Sequence, residues 1–390
     1  MRRRVLVVVV LVVFGIPAYF VYRLYDRITF PAEIGRCGGN VQLKVVGPQW
    51  YTDLVGQDYA WLLGTPTDFS VPSASLKSSD YWLGRLRGMT SLQTLGLSDS
   101  TITDQNLDVV ENLADLRYLG LDHTAITDAG LKHLRGLPKL EGLDLSETHV
   151  TDRGLASLAP LSTLLNLSLR HTAIQGQGLA FLSGLNGLWF LNLEESAVDD
   201  RGLESMLPLA GLKVLILRRT KVTDAGLRRL DRFPSLISLD LANTDVTDAA
   251  LPYLEAATGL KVLDLSRTRV SGPGLKHLAM LGRLRNLALN GTPLTDAGLA
   301  LMPALPALQS LDLSNTKVTS AGLTQLQQFP SLKELNISQT VIDDAAVAAL
   351  TRLRSLERLQ ATETRLTESG ARRLKDGLPD CVISTSRHGR

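Results

Sequence analysis

The chain repeats itself every 24 residues, twelve times in succession, without an insertion or a deletion. The first leucine of the unit falls at Leu92, Leu116, Leu140, Leu164, Leu188, Leu212, Leu236, Leu260, Leu284, Leu308, Leu332 and Leu356. A fixed period of this size means a solenoid, in which each unit buries its apolar side against its neighbours.

One unit, Leu140 to Leu161, reads LEGLDLSETHVTDRGLASLAPL. Counted from its first Leu, aliphatic residues fall at positions 1, 4, 6, 11, 16, 19 and 22. Positions 4 and 6 alternate by two, which predicts a short strand, and the spacing of three over 16, 19 and 22 predicts a helical stretch. Position 9 carries a hydroxyl in all twelve units, Thr in ten and Ser at Ser100 and Ser196. A buried turn needs its backbone groups satisfied, so this hydroxyl is expected to bond the turn of the next coil and form a ladder. Position 12 is Thr, Ser or Asp in every unit but the one with Gln175, and Asp follows at position 13 in eight. That pair reads as an N-cap with a carboxylate on the positive end of a helix. Gly at position 15 in nine units costs about 1 kcal/mol each relative to Ala, which points to close contact between coils. Pro138, Pro234, Pro306 and Pro330 share position 23, where Pro stops the helix before the next strand.

These residues resemble the leucine-rich repeat family. The match is to LxxLxLxxTxVTDxGLxxLxxL, as in Leu212, Leu215, Leu217, Thr220, Val222, Thr223, Asp224, Gly226, Leu227 and Leu230, with Thr where many members carry Asn at position 9. The Thr-Asp-x-Gly-Leu pattern is similar to ribonuclease-inhibitor-like, F-box-associated and bacterial members. The resemblance implies an α/β fold: a curved solenoid with a parallel sheet on the concave face and helices on the convex face. It also implies protein binding as the usual activity. No F-box, kinase or nuclease segment accompanies the repeats, so no enzymatic activity and no cofactor are expected.

The repeats occupy residues 92–377. Residues 1–30 hold Arg2, Arg3 and Arg4 followed by an apolar run, Val5 to Tyr22. As a helix that run spans about 27 Å, enough for a signal-anchor with a cytoplasmic N-terminus and extracytoplasmic repeats. Tyr19, Tyr22 and Tyr25 suit the far interface. The alternative is a secretory signal cleaved near Ile16-Pro17-Ala18. Residues 31–91 read as an aromatic cap containing Trp50, Trp61 and Trp82. Leu83, Leu86 and Met89 fall there at positions 16, 19 and 22 of a degenerate unit whose strand half is lost. Residues 378–390 form the C-terminal cap and tail; Leu378-Pro379-Asp380 breaks the pattern, and Ser384–Arg390 reads as polar and disordered. Cys37 and Cys381, the two cysteines, flank opposite ends of the solenoid. Twelve strands at about 4.8 Å separate those ends by on the order of 50 Å, too far for an internal disulfide. Free thiols or an intermolecular bond are left. Sequons at Asn166, Asn290 and Asn336 would matter only in a eukaryotic secretory pathway, and the repeat type looks bacterial.

Alternation along the strand points positions 3, 5 and 7 to the concave face, with position 8 at the rim. Position 5 carries Asp144, Asp240, Asp264, Asp312, Asn192 and Asn336. Position 8 runs Asp99, His123, Glu147, His171, Glu195, Arg219, alternating in sign, as a lateral ladder of solvated ion pairs would. His123, Glu147 and His171, with His149 nearby, offer ligands of the type that suits zinc, but side chains on parallel strands diverge into solvent and no second shell can be named; no metal is assigned. The best binding candidate is Trp189 and Phe190, at positions usually polar or small, with Arg170, Glu194, Arg218, Arg219 and Lys221 beside them. An aromatic ringed by arginine has the composition of an interface hot spot. Packing of Phe190 onto Val214 is the competing reading. Tyr118, also at position 3, is a second candidate. A net charge of +2, and Glu194, Glu195, Asp240, Asp245 and Asp264 among the basic residues, argue against nucleic acid. The expectation is a membrane-anchored recognition or scaffolding module for a protein partner. A metal- or glycan-binding surface protein and an envelope spacer are the alternatives.

Overall fold

The computed structural model describes residues 40–45, 64–70, 83 and 86–385. Val5–Tyr22, Cys37, Trp50, Trp61 and Trp82 lie outside them. Among the described residues no helix is long and apolar enough to cross a membrane. The chain divides into two compact bodies, Met1–His149 and Val150–Arg390.

In the N-terminal body, β1 (Asn40–Val45) runs antiparallel to β2 (Gly64–Ser70). Strand β2 is parallel to β3 (Thr94–Gly96), followed by β4 (Tyr118–Gly120) and β5 (Gly142–Asp144). Asp68, Phe69 and Ser70 pair with Thr94, Leu95 and Gly96. The strand half expected to be lost from the degenerate unit is therefore present. Two extra residues between it and the helical half hide it from a strict count, and Phe69 takes the register of the position 4 leucine. Leu83 and Leu86 are buried, as their spacing predicts.

The C-terminal body carries ten parallel strands in chain order: β6 (Asn166–Ser168), β7 (Phe190–Asn192), β8 (Val214–Ile216), β9 (Ser238–Asp240), β10 (Val262–Asp264), β11 (Asn286–Ala288), β12 (Ser310–Asp312), β13 (Glu334–Asn336), β14 (Arg358–Ala361) and β15 (Val382–Thr385). Each pairs with the next in a 24-residue register, including Arg358 with Val382. Ser384 and Thr385, expected in a disordered tail, are part of β15: the repeat frame runs on after the leucines stop. Cys381 is 1% exposed and, with buried Leu378, closes the end of the core. Burial raises its thiol pKa.

The first leucine of every coil is at most 4% exposed. Helical segments follow on the other side, mostly as 3₁₀ turns such as Gly226–Arg232, Leu275–Met280 and Gly322–Gln328. A spacing of three is the 3₁₀ period, so Leu227 and Leu230 eclipse on one face.

The position 13 aspartates have a more specific partner than a helix dipole. Asp104 accepts from the Thr127 N–H (2.8 Å) and hydroxyl (2.5 Å), one coil later. Asp200 does the same with Thr223, Asp224 with Thr247, Asp296 with Thr319 and Asp344 with Thr367. In coil 10 the roles swap, and the Ser320 hydroxyl donates to Asp343 (2.7 Å). A Cβ on Gly130 would overlap Asp104 Oδ1, which explains the small residue at position 15. Where position 13 is Gly176 or Gly272, φ is +113° or +131°, and a Cβ would strike the Cα of Gly202 or Gly298 in the next coil. After these coils, and after coil 10, the helix is α: α1 (Asp200–Ser205), α2 (Asp296–Leu299) and α3 (Val347–Leu350). Position 12 caps α1 and α2, as Asp199 does for the N–H groups of Arg201 and Gly202 (both 3.0 Å), and Asp343 caps the 3₁₀ turn that leads into α3. The last helix, α4 (Glu368–Gly377), is the longest of these.

The position 9 hydroxyl does not bond the next coil. From Thr124 to Thr364 each donates to the carbonyl three residues back in its own turn, as Thr244 does to Leu241 and Thr340 to Ile337 (both 2.6 Å). The next coil's turn carbonyl is already used: the Glu195 N–H donates to Arg218 O (2.9 Å) and Arg219 N–H to Ala242 O (2.9 Å). Position 8, the donor of that N–H, is left-handed in all twelve coils. Eleven non-glycine residues from Asp99 to Glu363 have φ of 51–58°, and Gly291 has 69°. A positive φ at the third residue is what a type II turn requires.

Candidate functional site

The sheet face of the C-terminal body is built from positions 3, 5 and 7, since Leu191, Leu215 and Leu217 between them are fully buried. The position 5 acids are first of all turn residues. Asp240 Oδ1 accepts from Ala242 N–H (2.9 Å), Asp264 Oδ1 from Ser266 N–H (2.8 Å) and Asp312 Oδ1 from Ser314 N–H (2.8 Å). Asn192 and Asn336 accept the same bond from Glu194 and Ser338. This is the Asx turn, in which a short polar side chain binds the backbone two residues on. The second carboxylate oxygen takes a lateral donor, Arg218 for Asp240 and Asp264 and Asn336 for Asp312.

The arginines around the aromatic pair are engaged laterally. Arg170 lies 3.5 Å from Glu194 and 3.6 Å from Glu195. Arg219 donates to Glu195, and that hydrogen bond holds the Glu195 carboxyl below its ordinary range. Arg218 bridges two coils, with Nε 3.0 Å from Asp240 and one terminal nitrogen 2.7 Å from Asp264. Burial works against its charge, but Asp240, Asp264 and Glu194 more than offset this, and its pKa rises. Burial, helped by the neighbouring Asp264, pushes the Asp240 carboxyl above its ordinary range despite Arg218. The charges of coils 4 to 8 are thus paired laterally between neighbouring coils. Lys221 is exposed at the rim of the same coil as Arg218.

Trp189 is 36% exposed and meets Phe190 edge to face, ring centroids 6.0 Å apart at 73°. Phe190 is half-buried and pairs in register with Val214. Ile216 stands beside them, half-buried at position 5, in register with Asn192 on one side and Asp240 on the other. It is the residue that sequence reasoning missed. The signal was an aliphatic in a column dominated by Asp and Asn.

Tyr118 belongs to the N-terminal body, where it is 45% exposed. Its ring lies over Gly142, whose missing Cβ would come within 2.6 Å of Cδ1, and its hydroxyl donates to Glu141 (3.3 Å). His123 Nε2 lies 2.7 Å from Glu147, and His171 lies 3.6 Å from Glu195. Each imidazole thus has a carboxylate partner on an adjacent coil. Among the described residues no group of three or more His, Cys, Asp or Glu side chains is arranged to hold a metal ion.

A family profile described as leucine-rich repeat region matches residues 76–357. The chain belongs to the leucine-rich repeat family. No curated protein matches this leucine-rich repeat chain. Among solved structures, an internalin from Listeria monocytogenes is 24% identical, covering 75% of this chain and 86% of its own, with a TM-score of 0.56. A leucine-rich repeat protein of Leptospira interrogans is 19% identical, covering 77% and 85%, with a TM-score of 0.54. At these identities the likeness shows the fold alone.

Proposed function

We propose that this leucine-rich repeat protein is a non-enzymatic recognition or scaffolding module that holds a protein partner on its sheet face around Trp189 and Phe190. One observation carries the reading: in a face whose acids serve turns and lateral ion pairs, coils 5 and 6 place an edge-to-face aromatic pair and two aliphatics between two charged networks. A half-exposed aromatic centre with a charged rim is the anatomy of an interface. The coils hold it rigidly, which lowers the entropic cost of binding. The Val5–Tyr22 run, with three arginines before it, supports a single-pass anchor that puts the repeats outside the cytoplasm.

The test is affinity capture from solubilised membranes with the full chain, against a Trp189→Ala/Phe190→Ala variant. A partner held by the first and lost by the second, at equal melting temperature, supports the reading. A partner held equally by both removes the site from this face. Arg218 and Arg219 are poor probes, because each is bonded to carboxylates of neighbouring coils. Protease accessibility of the repeats on intact cells tests the anchor, and a mature chain starting near residue 19 would mean a cleaved signal instead.

A further inference from the structure

The contact rows of the sheet face place an aliphatic shelf directly against an acidic pair. Along position 5 the strands bring Asn192, Ile216, Asp240 and Asp264 into register. Along position 3 they align Phe190, Val214, Ser238 and Val262. Neighbours in a row stand about 4.8 Å apart. Ile216 therefore abuts Asp240, with Val214 beside it and the small Ser238 leaving room above.

The charges around this shelf do not balance. Glu194 and Glu195 are answered by Arg170, Arg219 and His171. The shortage is local: Asp240 and Asp264 share the single guanidinium of Arg218. Burial foremost, and the Asp264 charge after it, raise the pKa of Asp240.

We infer that the partner lays a lysine or arginine side chain here, its alkyl stem on Val214 and Ile216 and its charged head against Asp240 and Asp264 alongside Arg218, with an apolar neighbour resting on Phe190. Long basic side chains suit such a place because they bury the stem and keep the head among polar groups. The charge complementarity selects a basic segment over an acidic one. The inference rests on the recognition reading above and adds the chemistry of the partner.

Two substitutions probe it while keeping the turns, and an unchanged melting temperature checks that losing the Arg218 ion pairs leaves the fold intact. Asp240→Asn/Asp264→Asn removes the charge but keeps the turn bond, which Asn192 and Asn336 already make in this column. Ile216→Asn removes the shelf and restores the residue type of its column. The experiment pans a phage-displayed random dodecapeptide library on the full chain and titrates synthetic versions of the enriched peptides by fluorescence anisotropy. Peptides with Lys or Arg next to an aliphatic or aromatic residue are expected to dominate. Their affinity should fall roughly tenfold or more in either variant, and should weaken as salt rises. Acidic peptides that depend on Phe190 would overturn the inference and leave the recognition reading standing. Basic peptides bound equally by wild type and both variants would overturn it as well. If no enriched peptide depends on Trp189, Phe190 or Ile216, both readings fall.

Discussion

Coils 5–7 and coils 10–12 share one backbone, one core and one turn, yet present opposite surfaces. In coils 10–12 polar groups answer polar groups in the same row. Asn336 donates to Asp312 (3.2 Å) and Arg358 to Glu334 (3.0 Å), around a shallow depression of about 150 Å³ bordered by Ser310 and Gln360. In coils 5–7 the corresponding places hold Phe190, Val214 and Ile216. The two regions show that the sheet face is chemically independent of the fold. Positions 1, 4, 6, 9 and 11 hold the coil, and positions 3 and 5 are free to differ: Ile216 makes no turn bond, yet Arg219 keeps the left-handed turn of the other coils.

Because the face is independent of the fold, damage to the core costs the same in both regions. Leu191→Ala and Leu335→Ala, at buried position 4, should each lose about 2–5 kcal/mol in chemical denaturation. A much smaller loss at Leu335 would mean that the polar coils are packed differently. The turn provides the next largest test. Thr244→Val and Thr340→Val each leave a buried carbonyl without its hydroxyl donor and should cost about 1–3 kcal/mol. Equal losses are expected, because the bond lies within one coil.

Two aspartates of coil 7 sharpen the comparison by pH. Asp248 accepts from Ser271, Gly272 and Gly274 of the next coil; burial alone would raise its pKa, but these bonds hold it below the ordinary value near 4. Its stabilisation is present above that value and lost as pH falls through the lowered one. Asp248→Asn should therefore melt lower than wild type at pH 7, with the gap closing in acid. Asp240 has the opposite sign: its raised pKa gives stability that is complete below about pH 4 and lost as pH rises through the raised value. Asp240→Asn should match wild type in acid and be equal or slightly more stable at neutral pH. A penalty at pH 7 like that of Asp248→Asn would show that the charge of Asp240 supports the fold. The smallest effect is expected at the exposed Arg358–Glu334 pair. Arg358→Ala should change stability by less than about 1 kcal/mol.

Much of this architecture was legible in the sequence, because period and alternation are direct consequences of stacking. The strands, the buried leucines and the need for a small residue at position 15 all follow from spacing. What escaped was the direction of individual hydrogen bonds. An invariant hydroxyl at position 9 announces a bond without naming its acceptor, and the left-handed residue at position 8 decides that. Position 8 itself was invisible, since His123, Glu147 and Arg219 adopt a conformation that their side chains do not advertise. The position 5 aspartates looked like surface chemistry because an Asx turn and an exposed acid leave the same letter. The strand of the first unit was hidden by an offset of two residues. Of the candidate site, the aromatic pair was readable as an exception to its columns, whereas Ile216 gains meaning only beside its cross-strand neighbours.

Gly176 and Gly272 occupy the same place in coils 4 and 8, and each meets a glycine of the coil that follows. The two joints are interchangeable. Chain cut after Gly176 and resumed at Pro273 would set Gly298 in the seat of Gly202, preserving the close approach. These coils thus carry two natural seams, four coils apart. Across such a seam a gene could drop or duplicate a cassette in one recombination event, replacing a whole stretch of displayed face while the helix starts on either side meet contacts of the same kind.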